Sequence, residues 1–291
     1  MKTGSREDYQ QRIGRVLAHV QAAIEAGDDV PDLDGLARAA HFSPYHFHRI
    51  YRALTGESLG RSIGRLRLAH ALHLLGDPAR SITDAAIAGG YGSSQGFARV
   101  VRDALDTTPT ALREVPALLA EAVAGLRRPP AALPNPSPLR VEVLSLAPFE
   151  VVAMQSVGRW DDLDQVYTAL VEWAAEAGAI ERMDGLYGIA WDDLRDVPLA
   201  AFRFTAAIGL ADSQPPAPMA SETWGGGRYA CLRHVGGFDG LDAGVERLLA
   251  DWWPHSGETL RDAPMLFRYL DDPEQVPEAL LRTDILLPLA G

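Results

Sequence analysis

Residues 41–75 read HFSPYHFHRIYRALTGESLGRSIGRLRLAHALHLL, and residues 82–113 read ITDAAIAGGYGSSQGFARVVRDALDTTPTALR. In the first stretch Ser43-Pro44 is a helix start, because serine can cap and proline is tolerated at the first helical position. Phe47, Ile50, Tyr51 and Leu54 then fall at i, i+3, i+4 and i+7, one buried stripe, and Gly56 is a C-terminal stop. A shorter helix over about 33–40, with Leu36, Ala37 and Ala40 inward, precedes the turn His41-Phe42. Two short helices joined by a tight turn describe a helix-turn-helix. The second helix carries Tyr45, His48, Arg49 and Arg52 on its other face, again at i, i+3, i+4 and i+7. Arginine can read guanine O6 and N7 with two hydrogen bonds, and long basic side chains reach phosphates. For one such helix alone, a solvated polar face explains the stripe equally well.

The second stretch repeats the pattern. After a long helix from about 57 to 76, with Leu59, Ile63, Leu66 and Ala69 inward, Ser81-Ile82 starts a short helix through Ala85 and Ala86. A turn at Gly89-Gly90-Tyr91-Gly92 follows, and Ser93 caps another helix with Phe97, Val100, Val101 and Leu105 inward. Ser94, Gln95, Ala98, Arg99 and Arg102 face outward, and Thr108-Pro109 begins a last short helix through Leu112. Upstream, Ile13, Val16, Leu17, Val20 and Ile24 form the stripe of an amphipathic helix that Gly27 ends. Two helix-turn-helix units about 50 residues apart can enter two major-groove segments roughly one turn, ~34 Å, apart.

In order and detail, residues 9–115 resemble the AraC/XylS-type DNA-binding domain: both units, the linking helix and the closing TPTALR are present. The resemblance implies double-stranded promoter DNA as a partner, with RNA polymerase beside it. It places Tyr45, His48 and Arg49 of the first unit, and Ser94, Gln95 and Arg99 of the second, at the bases, with Arg52 and Arg102 on the same faces. Gly96 and Ala98 stand where relatives often carry polar residues, so the second helix is the shorter-reaching reader.

Charge separates the halves of this 291-residue chain. Its net charge of −12 argues weakly against nucleic acid, but residues 1–128 carry 16 Lys+Arg against 14 Asp+Glu, and residues 129–291 carry 11 against 25. A mildly basic module, which can favour a polyanion, is fused to a strongly acidic one, which cannot. The sign changes at RRPPAALPNPSPL, where five prolines fall in residues 129–138 and suit neither a helix interior nor a central strand. The expected organisation is a DNA-binding domain over 1–128, a Pro-rich linker over 129–138 and a second domain over 139–291. With no ~20-residue apolar run and no apolar segment behind the N-terminal charges, neither a membrane span nor a signal peptide is expected, and the cytoplasm is the expected location. Two reading units per chain suit a monomer or a homodimer.

The acidic half contains a duplication. VVAMQSVGRWDDLDQVYTALVEW (151–173) aligns with YACLRHVGGFDGLDAGVERLLAD (229–251) at an offset of 78, and Asp192-Asp193 and Pro198 meet Asp271-Asp272 and Pro277 at 79. Each copy reads strand, helix, strand, strand. The expectation is an α+β domain whose copies lie side by side in an antiparallel sheet, helices on one face and a groove on the other. WGGGRYACLRHVGGFDGLDAGVERLLADWWPHSG (224–257), PMLFRYLDD (264–272) and LLRTDILLPL (280–289) resemble the GyrI-like effector-binding domain, over about 139–288. The resemblance implies a cleft for a small amphipathic or aromatic effector, and the domain order resembles the Rob-type architecture. That family usually carries Glu in the motif where Phe267-Arg268-Tyr269 stands here. Alternation along the strands predicts a cleft lined by Tyr187, Trp191, Trp224 and Arg268, reached by Trp160. A guanidinium there favours a carboxylate or phosphate ligand. The competing explanation pairs Arg268 with a neighbouring acid such as Asp271 or Asp272.

Enzyme chemistry finds little support. His70 and His73 sit at helical spacing but have no cysteine near, so no metal is expected, and no cofactor either. Gly225-Gly226-Gly227 is not followed by Gly-Lys-Ser/Thr, so it reads as a turn or bulge rather than a phosphate loop. Cys231, the single cysteine, lies in an alternating apolar strand and reads as core. No catalytic residue is assigned. The alternatives to a ligand-responsive regulator are a GyrI-like hydrolase of reactive small molecules, disfavoured by Arg268, and a drug-sequestering binding protein.

Overall fold

The computed structural model describes residues 4–42, 44–128, 139–158, 160–192 and 197–291, so the Pro-rich stretch 129–138 lies outside the described residues. Among them, 8–42 and 54–128 form one compact unit, and 4–7, 44–53 and 139–291 form another. The first helix-turn-helix is thereby divided, its second helix belonging with the acidic half.

The first unit is helical. Helix α1 (Gly4–Ala26) buries Tyr9, Ile13, Val16, Val20 and Ile24, and α2 (Leu33–Ala39) starts from Asp32, whose carboxylate accepts from Gly35 N. Helix α3 (Pro44–Thr55) belongs, as far as Ala53, to the other unit. Helices α4 (Leu59–Leu75), α5 (Ile82–Ala88), α6 (Ser94–Leu105) and α7 (Pro109–Glu114) begin at Ser58, Ser81, Ser93 and Thr108, each accepting a backbone N–H. Their core joins Leu68, Leu72, Leu75, Ala85, Ala86, Phe97, Val101 and Leu112. Gly89 is required there by contact: a Cβ on it would lie 2.5 Å from Ala71 Cβ. One helix was not anticipated, α8 (Pro116–Arg127), whose Leu119 and Val123 complete this core. Arg65 ties it down, donating to Leu126 O while paired with the buried Glu57.

In the second unit six strands form one ring of antiparallel pairs. They are β1 (Val141–Val157), β2 (Leu186–Ala190), β3 (Arg203–Gly209), β4 (Ala220–Val235), β5 (Leu266–Tyr269) and β6 (Arg282–Leu289), in the order β1-β3-β2-β5-β6-β4. The strands are antiparallel throughout, as the sequence predicts, and pairing of β1 with β4 closes the sheet into a barrel. Helix α9 (Trp160–Glu176) lays Val166, Leu170 and Ala174 on Val152, Phe204, Ala206 and Ile208. Helix α10 (Leu241–Arg247) and the π turn Leu248–Trp252 bury Leu241, Val245, Leu248 and Leu249, and α11 (Trp253–Ser256) buries Trp253. The three glycines at 225–227 all have positive φ, yet the β1–β4 register is the same on both sides. They lie within one continuous strand and insert no residue, so the turn or bulge expected between strands is not formed.

The duplication is present atom for atom in places. Arg203 donates from its backbone N, Nε and Nη2 to Asp192 at 2.9, 2.9 and 2.7 Å. Arg282 does the same to Asp271 at 2.8, 2.9 and 2.7 Å. Gly158 N donates to Phe202 O, and Gly236 N to Leu281 O, at matching places.

Candidate DNA-reading and ligand-binding sites

Helix α6 presents the outward face that its periodicity predicts. Phe97 and Val101 are fully buried, while Gln95, Arg99 and Arg102 are exposed and Ser94 is half-buried. Arg99 is 85% exposed, with Asp103 one turn on at 3.9 Å. Val100, expected inward, is 37% exposed; the inner stripe is narrower than the pattern implied.

Helix α3 departs from its prediction. Phe47, Ile50 and Tyr51 are buried as expected, but His48 and Arg49, placed on an open basic face, are only 5% and 4% exposed. That face packs on the barrel. Arg49 Nη2 donates to Ala190 O at 3.3 Å and to Asp192 O at 3.2 Å. Arg52 Nε lies 3.2 Å from Glu246 Oε1 on α10. Arg49 Nε also donates to His48 Nε2 at 3.3 Å, which makes that ring nitrogen an acceptor. His46, between the two faces, is fully buried. Burial, and secondarily the charge of Arg49, push its pKa down to about 4, against the upward pull of the Arg261 and Ala263 backbone and the Asp262 carboxylate. Periodicity identifies a polar face but not what covers it. The side chain of Tyr45 lies outside the described residues.

Of the predicted ligand residues, Tyr187, Trp191 and Trp224 come together at one apolar cluster, to which all six strands of the ring contribute. Tyr187 and Trp224 belong to one apolar cluster with Val151, Ala153, Ile189 and Tyr229, and Trp191 packs against it. Phe149 lies over Tyr187 with ring centroids 4.7 Å apart. Trp191 Nε1 donates to Thr205 Oγ1 and Trp224 Nε1 to Glu222 Oε2, at 2.8 and 2.7 Å. Tyr187 and Arg268 are directly paired across β2 and β5, so their side chains share this face. The side chain of Trp160 lies outside the described residues.

Arg268 is paired with an acid, but neither of those expected. Across β5 and β6 it meets Asp284, to whose Oδ2 its Nε and Nη2 donate at 3.2 and 2.5 Å. Asp271 is taken by Arg282, and Asp272 accepts from Glu274 N and Gln275. Asp284 is 0% exposed and also takes a bond from Arg233 Nε on β4. Burial drives its pKa up, and the two guanidiniums together overcome that and hold the carboxyl below the usual range. Cys231 beside it is pushed up to about 11, by burial and then by the Asp284 charge. The sequence reading missed Arg233, Asp284, Phe149 and Thr205. Asp284 carried a signal: an aspartate inside the apolar strand RTDILLPL is a buried polar group that needs partners.

A family model described as GyrI-like small molecule binding domain matches residues 140–290, and a helix-turn-helix domain model matches residues 36–114. "Probable transcriptional regulator YgiV" of Escherichia coli strain K12 is 36% identical over 128 residues, 41% of this chain and 77% of that protein. "Regulatory protein SoxS" of Salmonella typhimurium is 35% identical over 105 residues, 36% of this chain and 95% of that protein. A crystal structure of an uncharacterized conserved protein from Listeria innocua superposes with a TM-score of 0.45 and 14% identity, covering 52% of this chain and 93% of that one.

Proposed function

The chain belongs to the GyrI-like family of small-molecule-binding domains and carries an AraC-type helix-turn-helix domain; from that premise we propose that it is a cytoplasmic, promoter-binding transcriptional regulator whose barrel binds a small aromatic or amphipathic effector. The observation that carries this reading is the union in one chain of an exposed Gln95–Arg99–Arg102 helix face and an aromatic barrel face holding Arg268. The names of the sequence relatives, a probable transcriptional regulator and a regulatory protein, support it. Tyr45, His48, Arg49 and Arg52 of α3 and Ser94, Gln95, Arg99 and Arg102 of α6 are the DNA contacts, and RNA polymerase is the partner at the promoter. Trp160, Tyr187, Trp191, Trp224 and Arg268 contact the effector.

In the row Arg268–Asp284–Arg233 two guanidiniums face one carboxylate. The excess positive charge favours an effector with an acidic group. Chemistry on this face is poorly provided for. The Asp284 carboxylate is held ionised and is a weak base, and a thiol with a pKa of about 11 stays protonated at neutral pH. Both properties favour a sensor over a hydrolase.

The test is fluorescence anisotropy with duplex DNA from upstream of the protein's own gene, at two salt concentrations, for the protein and Arg99→Ala. Sequence-selective binding that weakens steeply with salt and falls in the variant is expected. Binding that is absent, or indifferent to sequence and to Arg99, would remove the regulator reading and leave sequestration. Benzoate against benzylamine tests the ligand charge: Arg268→Ala should weaken only the first.

A further inference from the structure

We propose that the acidic barrel is an internal competitor of DNA, holding the first reading helix in a surface that offers the same acceptor chemistry as a duplex. This rests on the reading that α3 contacts DNA. A guanine edge or a phosphate presents oxygen acceptors to basic side chains. The barrel presents the carbonyls of Ala190 and Asp192 to Arg49 and the carboxylate of Glu246 to Arg52. Arg49 and His48 are nearly inaccessible in this arrangement, so α3 cannot lie in a major groove while these contacts persist. Helix α6 stays exposed. The chain in this state has one open reader and one covered reader, and DNA must displace the barrel from α3 to engage both. The strongly acidic composition of residues 129–291, which sets that half against any polyanion, then suits it to hold the basic helix of its own chain.

Acid-side substitutions separate this from the DNA contacts, because they leave α3 unaltered. In the full chain, Glu246→Gln, and Glu246→Lys, which sets a like charge against Arg52, should bind the same upstream duplex more tightly, by about five-fold for the second. The control is Glu181→Gln with Glu274→Gln, which removes two charges from exposed positions and should bind as the unmodified protein does. Glu246→Gln serves if Glu246→Lys fails to fold. Equal affinity in test and control proteins, with DNA binding intact, overturns the competitor and leaves the regulator standing. No binding by any of them overturns both.

Discussion

Arg49 brackets Trp191: its Nη2 donates to the carbonyls of Ala190 and Asp192, the residues on either side of that indole, at 3.3 and 3.2 Å. A DNA-reading candidate and a ligand-reading candidate therefore share two peptide groups. A ligand that shifts Trp191 acts on the acceptors that hold Arg49, and linkage requires DNA to act back on the ligand by the same factor. The expected outcome is that an aromatic carboxylate bound by the protein changes its DNA affinity about five-fold or more. In Trp191→Ala that response should vanish while DNA binding persists. Anisotropy titrations with and without the carboxylate measure both.

The buried His46 makes the α3 contact sensitive to acid. Its pKa is about 4 when folded against 6.5 when exposed, so the folded protein carries it neutral where the unfolded chain protonates it. Unfolding is then favoured as pH falls from 6.5 towards 4, by about 3 kcal/mol in total at 1.4 kcal/mol per pH unit. Above 6.5 the contribution is flat. Denaturant unfolding of the protein and of His46→Gln at pH 7.5 and 4.5 isolates the effect, since other groups cancel in the difference. Equal pH slopes would refute it.

Asp284 is a charge shared by two guanidiniums and closed to water. Asp284→Asn leaves Arg233 and Arg268 facing each other without the anion, and should cost about 3 kcal/mol. Arg233→Met or Arg268→Met should cost less than half as much, because the other guanidinium still holds the carboxylate. The depressed pKa means that this contribution is present above the ordinary carboxylate range and is lost as pH falls through the folded value. Thermal melts at pH 7 rank the three variants.

Gly89 lies where α5 meets α4 with no room for a methyl group. Its φ of −78° is ordinary, so the demand is purely one of space. Gly89→Ala is expected to destabilise the second helix-turn-helix by about 2 kcal/mol through overpacking. Gly92→Ala, where nothing lies within 4 Å, should leave it unchanged. Urea midpoints followed by circular dichroism decide.

The helical half was legible because its rules are local. Ser81, Ser93 and Thr108 each cap the helix they were expected to cap, and Gly56 has the positive φ of a helix stop. Helix α8 escaped because Pro116 follows α7 directly, and an adjacent proline reads as a terminator rather than a new first turn. The barrel was legible in its duplication but not in its closure, since β1–β4 pairing joins residues some 80 apart by backbone bonds that no side chain announces. Alternation put Tyr187 and Arg268 on one surface, and their pairing across β2 and β5 agrees with that placement. Register also decides that Arg268 meets Asp284 rather than Asp271, and register is set by the whole ring.

The ring carries one more consequence. Within each copy the first strand pairs with the third and the third with the second; between copies β1 pairs with β4 and β2 with β5, like with like. Like-with-like pairing is what a two-fold axis imposes on identical subunits. A single copy would expose two unpaired strand edges, those of its first and second strands, and a second copy would cover both at once. The aspartate–arginine forks at 192/203 and 271/282 show that each half retains its own internal brace. The barrel has the build of a homodimer fused into one chain, in which only one half carries an arginine at this place: Arg268 stands in β5 where Ile189 stands in β2.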